Sequence, residues 1–147
     1  RTVNPPKDSW VAFAPYKRGY KSLPHFQIGL WNTHLFIAVA VIYEAPNKQE
    51  MANRLLENLE VFNEMDETYS ISGDHMSPVY ETLDLNRKSE QLNKLLKRLQ
   101  NVKKGEFLIR RFLSAEEARK LTEQQFNKLA LETFETLLPI YNIMANK

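Results

Sequence analysis

Two consecutive apolar segments constrain the fold of this chain more than any other feature of its sequence. Residues 24–31 alternate between apolar and polar or small side chains, whereas residues 35–43 are apolar without interruption. The first pattern predicts a strand with one buried face, and the second predicts a central strand that is buried on both faces. With Asn32 and Thr33 as the turn between them, we expect an antiparallel hairpin.

The two faces of this predicted hairpin differ in chemistry. One face is uniformly bulky, includes Ile37, and is expected to form the core. The other face places His25 and Gln27 above the small residues Ala38 and Ala40. Small residues beside polar ones could form the floor of a ligand pocket. The alternative interpretation is that a helix packs closely on the same small residues.

The remainder of the chain is mainly helical. Apolar residues at helical spacing predict helices after Pro46, over residues 84–102 and near the C-terminus, with further short strands at residues 10–14, 69–72 and 106–113. Because strands come first and helices dominate afterwards, the order favours an α+β fold with a mainly antiparallel sheet of about four to five strands and three or four helices. At 147 residues, we expect a single domain, residues 1–147.

Local signals predict how the helices begin and end. Three pairs of residues are spaced as capping boxes, namely Asn47 with Glu50, Ser114 with Glu117, and Thr122 with Gln125. Pro139 falls inside the last helix and is expected to kink or break it, because its ring removes a hydrogen-bond donor and clashes with a preceding carbonyl.

Charge is distributed unevenly, although 20 basic and 18 acidic residues nearly cancel. Residues 1–25 carry five bases and one acid, residues 51–84 carry one base and eight acids, and residues 85–111 carry nine bases and two acids. The net charge does not favour nucleic acid as a partner, and the longest apolar run is too short to span a membrane as a helix. The absence of cysteine excludes disulfides and thiolate chemistry and is typical of a cytoplasmic protein.

We expect the bases of residues 1–21 and 103–111 to converge into one pocket for a small anionic or phosphorylated ligand. Lysines beside a glycine turn suit phosphate, because exposed N–H groups and cations act together. The predicted ligand-binding residues are Arg1, Lys7, Arg18, His25, Gln27, Lys103, Lys104 and Arg110. Two alternatives stay open. The acidic segment could pair these bases, or the bases could spread over a convex surface of a non-enzymatic module that contacts a protein or RNA. The sequence sets no oligomeric state.

The candidate catalytic residues are His25, Asp74 and His75. An Asp–His pair on a loop could supply a general base, but Asp74 could equally be an ordinary turn residue. The sequence contains no GxSxG, Walker or GxGxxG motif, so it does not decide whether the protein is an enzyme. We predict no cofactor and no metal site, because His25 and His34 lie near opposite ends of the predicted hairpin and cannot share an ion.

Four segments together resemble one family. RTVNPPKDSWVAFA, KRGYKSLPHFQIGLW, DHMSP and VKKGEF are similar, in order and spacing, to segments of the YktB-like bacterial proteins of unknown function. The resemblance covers the whole chain. It implies a compact cytoplasmic protein of helices and strands, and it implies a further N-terminal segment, so this chain is expected to be the C-terminal part of a longer one. It assigns no activity, cofactor or site residue.

Overall fold

The computed structural model describes residues 8–13, 20–31 and 34–146. The strands are β1 (Asp8–Phe13), β2 (His25–Trp31), β3 (His34–Val41), β4 (Tyr69–Ser72), β5 (Glu81–Thr82) and β6 (Phe107–Ser114). The helices are α1 (Lys48–Leu56), α2 (Lys88–Asn101), α3 (Ala115–Arg119) and α4 (Glu123–Ala145). The sheet has the order β1-β2-β3-β6-β4-β5, and every neighbouring pair is antiparallel. The predicted α+β class is therefore confirmed, and the two-residue β5 brings the sheet to six strands.

The hairpin of β2 and β3 has the predicted register. His25 pairs with Ala40, Gln27 with Ala38, and Ile28 with Ile37. Paired residues of an antiparallel ladder point to the same face, so Ile28 and Ile37 share the bulky face while the polar residues share the other. The predicted turn, Asn32 and Thr33, lies outside the described residues.

The bulky face of the sheet carries the core. Helices α1, α2 and α4 pack on it, and the buried residues include Ile37, Val39, Leu55, Leu96, Leu99, Ile109, Leu137 and Ile140. Each such side chain contributes about 1.5–3 kcal/mol relative to remaining exposed. Because these three helices lie on the bulky face, they do not pack on the small-residue face of the hairpin. Within the described residues, no helix combines the length and the apolar character needed to cross a bilayer.

Two of the three predicted capping boxes are confirmed. The Ser114 hydroxyl accepts from the Glu117 N–H at 3.0 Å, and the Thr122 hydroxyl accepts from the Gln125 N–H at 3.1 Å, each with the reciprocal bond present. The third prediction is wrong, because Asn47 makes no side-chain cap bond. Its backbone angles (φ −103°, ψ 39°) differ from the extended conformation that turns an N-cap side chain toward the first helical turn.

Helix α4 continues through Pro139 and ends at Ala145, so the proline does not break it. Proline inside a helix costs about 3 kcal/mol or more. Four buried side chains of the same helix offset that cost by packing on the core, namely Leu137, Ile140, Tyr141 and Met144. Asn146 follows in the left-handed conformation (φ 59°), which asparagine tolerates and which commonly ends a helix.

Candidate functional site

A buried carboxylate stands at the start of β6. Glu106 is 3% exposed and directly precedes the strand. One of its oxygens accepts from the backbone N–H of Tyr43 at 2.9 Å, and the other accepts from the backbone N–H of His75 at 2.7 Å. Burying a carboxylate is costly unless it is hydrogen-bonded, and these two donors satisfy that requirement. Glu106 thereby joins β6 to the segment after β3 and to the loop between β4 and β5.

The imidazole of His75 lies against the same carboxylate. Its Nδ1 is 2.9 Å from Oε1 and 2.8 Å from Oε2 of Glu106, and its ring stacks on Tyr43 with centroids 6.3 Å apart. Because a carboxylate only accepts, Nδ1 carries the hydrogen and donates it. The ring orientation is then fixed, and in the neutral imidazole Nε2 carries the lone pair on a side chain that is 25% exposed. This carboxylate–imidazole pair has the arrangement of a general base with its orienting acid.

Lys48 fixes the loop that leads into Glu106. It lies in the first turn of α1, is buried, and donates from Nζ to the carbonyl oxygens of Lys103 and Gly105, the latter at 2.7 Å. Burial lowers the pKa of Lys48 from its ordinary value, the nearby Glu106 carboxylate acts in the opposite direction, and Arg98 lowers the pKa further. Lys48 is therefore a positioning residue, since it acts on Glu106 through the loop and through charge.

Gly105 allows that loop to lie directly on the last turn of α2. A Cβ atom at this position would be 2.8 Å from the Arg98 carbonyl oxygen, 3.0 Å from the Val102 carbonyl oxygen and 3.1 Å from the Cα of Leu99. All three atoms belong to the backbone and cannot rotate away. The glycine in the Lys-Lys-Gly-Glu segment is thus required by a close approach of two backbones.

Gly105→Ala is expected to lower the free energy of unfolding by about 1–3 kcal/mol, the usual cost of overpacking. The matched control is Gly73→Ala, where a Cβ would meet the ends of the Leu95 and Arg98 side chains at 3.0 and 3.2 Å. Those flexible ends can shift, so the control is expected to stay within about 1 kcal/mol of the parent. Urea denaturation of both variants measures the difference, and equal losses would contradict this account.

Asp74 is a turn residue, which is the ordinary alternative from the sequence. Its carboxylate accepts from the backbone N–H of Met76 at 2.9 Å and is exposed. His75 pairs instead with Glu106, 31 residues away in sequence. Asp74, His75 and Glu106 could in principle hold a metal, since they offer ligand atoms within 4.8 Å of one another. Both Glu106 oxygens face the Nδ1 of His75, however, which is the geometry of a pair bridged by a proton.

A cleft of about 510 Å³ is lined by Gly73 and Asp74, which directly precede His75 in the chain, and we call it the α2 cleft. It lies between α2, β4 and the loop that follows β4. Its charged lining residues are Asp74, Glu81, Lys94 and Arg98. Arg98 donates one N–H to the Gly73 carbonyl oxygen at 3.2 Å, which ties the cleft wall to the loop that carries His75. The volume is typical of pockets for small molecules.

Three predicted ligand-binding residues lie together on the opposite face of the sheet. Gln27 pairs with Ala38 and Ala38 with Arg110, so Gln27 and Arg110 lie in one row across three strands, with His25 beside them. All three are buried, and they line neither the α2 cleft nor the 370 Å³ cavity near the end of α4. Their role in ligand binding stays a prediction.

Internal contacts hold these buried groups. His25 Nδ1 donates to the Leu23 carbonyl oxygen at 2.9 Å, and its Nε2 accepts from the Gln27 amide at 2.9 Å. The guanidinium of Arg110 lies 3.5 Å from the ring centroid of Tyr80 and donates to the Ser70 hydroxyl at 3.2 Å. Burial lowers the pKa of Arg110 and raises that of Tyr80. A cation over an aromatic face is stabilised there by the ring quadrupole.

The remaining bases of the predicted ligand site are either exposed on a loop or outside the described residues. Lys103 and Lys104 are exposed on the loop before Glu106. Arg1, Lys7 and Arg18 lie outside the described residues. Within the described part of the chain, no ion pair joins residues 57–84 to the bases of residues 85–111, so the pairing alternative is not observed there.

Sequence reasoning missed Glu106, Lys48 and the cations of the α2 cleft. Glu106 had a usable signal, since it is the single acid between two lysines and an apolar strand. Lys48 also had a usable signal in the sequence, because it shares helical spacing with the buried residues Ala52 and Leu55. A polar residue on the apolar face of a helix commonly has a buried partner.

Comparison with known proteins finds similar sequences over nearly the whole chain. The sequence profile of a domain of unknown function, DUF1054, matches residues 1–141. A UPF0637 protein of Lysinibacillus sphaericus is 57% identical over 147 residues, which are 100% of this chain and 69% of the relative. UPF0637 proteins of Exiguobacterium sibiricum and Staphylococcus haemolyticus are 45% and 44% identical, over 96% of this chain and 68% and 69% of their own lengths. These names state no activity.

Proposed function

This chain belongs to the DUF1054 family, and we propose that it binds a small anionic ligand in the α2 cleft, with His75 as the proton-transfer group. The carrying observation is the buried Glu106 carboxylate, which holds Nδ1 of His75 on the loop whose Gly73 and Asp74 line the α2 cleft. The pair joins three backbone segments, and an imidazole oriented by a buried carboxylate is the usual arrangement of a proton-transfer group.

The charges around the α2 cleft support an anion. Lys94 and Arg98 are exposed on its α2 wall, and Lys94 has no hydrogen-bond or ion-pair partner among the described residues. The two acids of the cleft are already engaged, since Asp74 accepts from Met76 and Glu81 accepts from the Gln91 amide. The cations are thus better placed than the acids to meet a ligand, and an Arg fork suits carboxylate or phosphate oxygens.

Lys103 and Lys104 extend this positive region in the proposal. They are exposed on the loop held by Lys48 and stand directly before Gly105 and Glu106. Their potential would draw an anion toward the cleft without requiring direct contact. Cytoplasmic localisation, expected from the cysteine-free sequence, stays a prediction.

His75 would act on a ligand held in this way by moving one proton. With Nδ1–H donated to Glu106, the lone pair of Nε2 can accept a proton from a hydroxyl or water and later return it. Glu106 keeps the ring in this orientation during both steps. The proposal therefore assigns His75 the transfer, Glu106 and Lys48 the positioning, and Lys94 with Arg98 the recognition.

A second candidate function is the contact of an acidic protein or RNA with the exposed bases of α2. It is favoured by one observation: in the described part of the chain, Lys94, Lys97, Lys103 and Lys104 are exposed and form no ion pair. Such a surface would use Lys97 and Lys104 as much as Lys94, because it depends on total charge rather than on a concavity.

The thermal stability of the protein in inorganic phosphate and pyrophosphate separates these functions. A ligand that binds only the folded state raises its melting temperature. We expect the double variant Lys94→Gln/Arg98→Gln to lose the rise that pyrophosphate produces over sodium chloride of matched ionic strength. The control Lys97→Gln/Lys104→Gln removes the same charge from outside the cleft and is expected to keep most of that rise.

Equal responses of the two double variants would contradict recognition in the α2 cleft and favour the extended surface. No rise above the chloride control in the parent protein would contradict anion binding altogether. The proton-transfer assignment has its own measurement, the NMR signals of the His75 ring during a pyrophosphate titration. Signals that do not move while the melting temperature rises would remove His75 from the site.

A further inference from the structure

The α2 cleft is much larger than the anionic group that its cations would hold. A phosphate or carboxylate group fills only a small part of about 510 Å³. Ligand pockets of this volume enclose most of the surface of a small organic molecule, and apolar side chains form most of their lining. The lining of the remaining space therefore indicates which chemical group accompanies the anion.

Three apolar side chains line the α2 cleft, namely Ile71, Val79 and Leu95. Ile71 belongs to β4 and is 3% exposed, whereas Leu95 belongs to α2 and is half-buried. Val79 lies on the loop between β4 and β5 and is 75% exposed. Each of the three elements that enclose the cleft thus contributes apolar surface. An apolar group in the cleft would remove part of this surface from water, which is favourable.

The charged and apolar parts of the α2 cleft meet at Gly73. A Cβ atom on this residue would lie 3.0 Å from Cδ1 of Leu95 and 3.2 Å from Nη1 of Arg98, so both side-chain ends lie close together above one glycine. Arg98 donates one N–H to the Gly73 carbonyl oxygen, and its other N–H groups have no partner among the described residues. An anionic group bound to those donors would hold the atoms attached to it near Leu95.

The other end of the α2 cleft disfavours a second anionic group. The lining residues of α2 run from Gln91 to Arg98, a distance of about 10 Å along a helix. At the Gln91 end, the exposed carboxylate of Glu81 accepts from the Gln91 amide. A ligand with negative charge at both ends would bring its second charge toward Glu81. This distribution therefore favours a ligand with one anionic group, bound at the Arg98 end.

We propose that the ligand of the α2 cleft is an amphiphilic anion, in which one phosphate or carboxylate group carries a short apolar chain. The anionic group would bind Lys94 and Arg98, and the chain would lie on Ile71, Val79 and Leu95. This assignment deepens the proposed function and rests on it, because it concerns the same cleft and the same cations. A cleft about 10 Å long suits a short chain better than the long acyl chains of a membrane lipid.

Isothermal titration with three probes tests this assignment. Hexyl phosphate carries both groups, methyl phosphate lacks most of the apolar chain, and 1-hexanol lacks the anionic group. We expect hexyl phosphate to bind at least about tenfold more tightly than methyl phosphate, because each buried methylene group strengthens binding by about two- to fourfold. Hexanol is expected to bind at least about tenfold more weakly than hexyl phosphate, because it forms no charge-assisted hydrogen bond. The double variant Lys94→Gln/Arg98→Gln is expected to weaken the binding of both phosphates.

Val79→Ser removes apolar surface from the cleft at an exposed position, so the variant is expected to fold. It should weaken the binding of hexyl phosphate by about 2–5-fold and leave the binding of methyl phosphate unchanged. Val102→Ser is the matched control, because Val102 is 41% exposed and does not line the α2 cleft. Its affinities for both phosphates are expected to equal those of the parent protein.

Equal affinities for hexyl and methyl phosphate, both lost in Lys94→Gln/Arg98→Gln, would overturn the apolar chain and leave anion recognition in the cleft intact. Failure of both phosphates to bind would contradict the proposed function together with this inference. Binding of hexyl phosphate that is unchanged in the double variant or in Val79→Ser would place its site outside the α2 cleft. Tighter binding to phosphatidic acid vesicles than to hexyl phosphate, measured by co-sedimentation, would assign the site to a membrane lipid instead.

Discussion

Glu106→Ala is expected to lower the free energy of unfolding by about 3–5 kcal/mol, the usual cost of breaking a buried charge network. The substitution leaves the backbone N–H groups of Tyr43 and His75 without their acceptor and releases the His75 ring. It also removes the one influence that raises the pKa of Lys48 against burial. Three segments of the fold lose their common partner at once, which is why the effect exceeds that of an ordinary hydrogen bond.

Urea denaturation measures this loss, with two companion variants. Glu106→Gln keeps the shape and one acceptor oxygen, so we expect a smaller loss of about 1–3 kcal/mol. Glu64→Ala removes an exposed carboxylate and is expected to change stability by less than about 0.5 kcal/mol. A Glu106→Ala protein as stable as Glu64→Ala would contradict the network.

The pH dependence of Glu106→Ala follows from Lys48. Because burial lowers the pKa of Lys48 in the folded state, the unfolded chain binds more protons between the folded and the ordinary pKa, and stability rises with pH across that window. Without Glu106, the folded pKa falls further and the window widens toward neutral pH. The variant should therefore recover stability more steeply than the parent as pH rises toward the ordinary lysine pKa.

Ile37→Ala is expected to lower the free energy of unfolding by about 2–5 kcal/mol, as is usual when a core side chain is truncated. Ile37 is 5% exposed and lies on the central strand β3, opposite Ile28 on one side and Arg111 on the other. Its side chain belongs to the cluster that joins the sheet to the helices, so the lost volume leaves a cavity between two layers. Chemical denaturation with an unchanged m-value would show that stability alone has changed.

Val79→Ala provides the comparison for this truncation. Val79 is 75% exposed, so the removal of two methyl groups there is expected to change stability by less than about 0.5 kcal/mol. A loss below about 1 kcal/mol for Ile37→Ala would mean that the core face of the hairpin can collapse around the change.

The parts of this protein whose energetics are local could be predicted from its amino-acid sequence. Alternation over residues 24–31 specified which face of β2 packs on the helices, because a shift of one residue would turn every side chain to the other face. The expectation of a single buried face was wrong, since His25 and Gln27 on the other face are buried while Ile28 is half-buried.

The prediction of a two-residue turn at Asn32 and Thr33 led to the register that pairs Gln27 with Ala38. Ser114 and Thr122 begin helices as predicted, because a cap depends only on groups three residues apart.

The candidate site depends on contacts that form only when distant segments of the chain pack together. His75 pairs with Glu106 rather than with its neighbour Asp74, because the strand order places β6 beside β4. Arg110 is buried under Tyr80, since its exposure depends on which segment covers that face of the sheet. Contacts of this kind join residues far apart in sequence, and no period of two or four residues encodes them. Alternation within a strand predicts which side chains share a face of the sheet. The strand order decides which distant residue lies beside a given side chain, and here it places Glu106 beside His75.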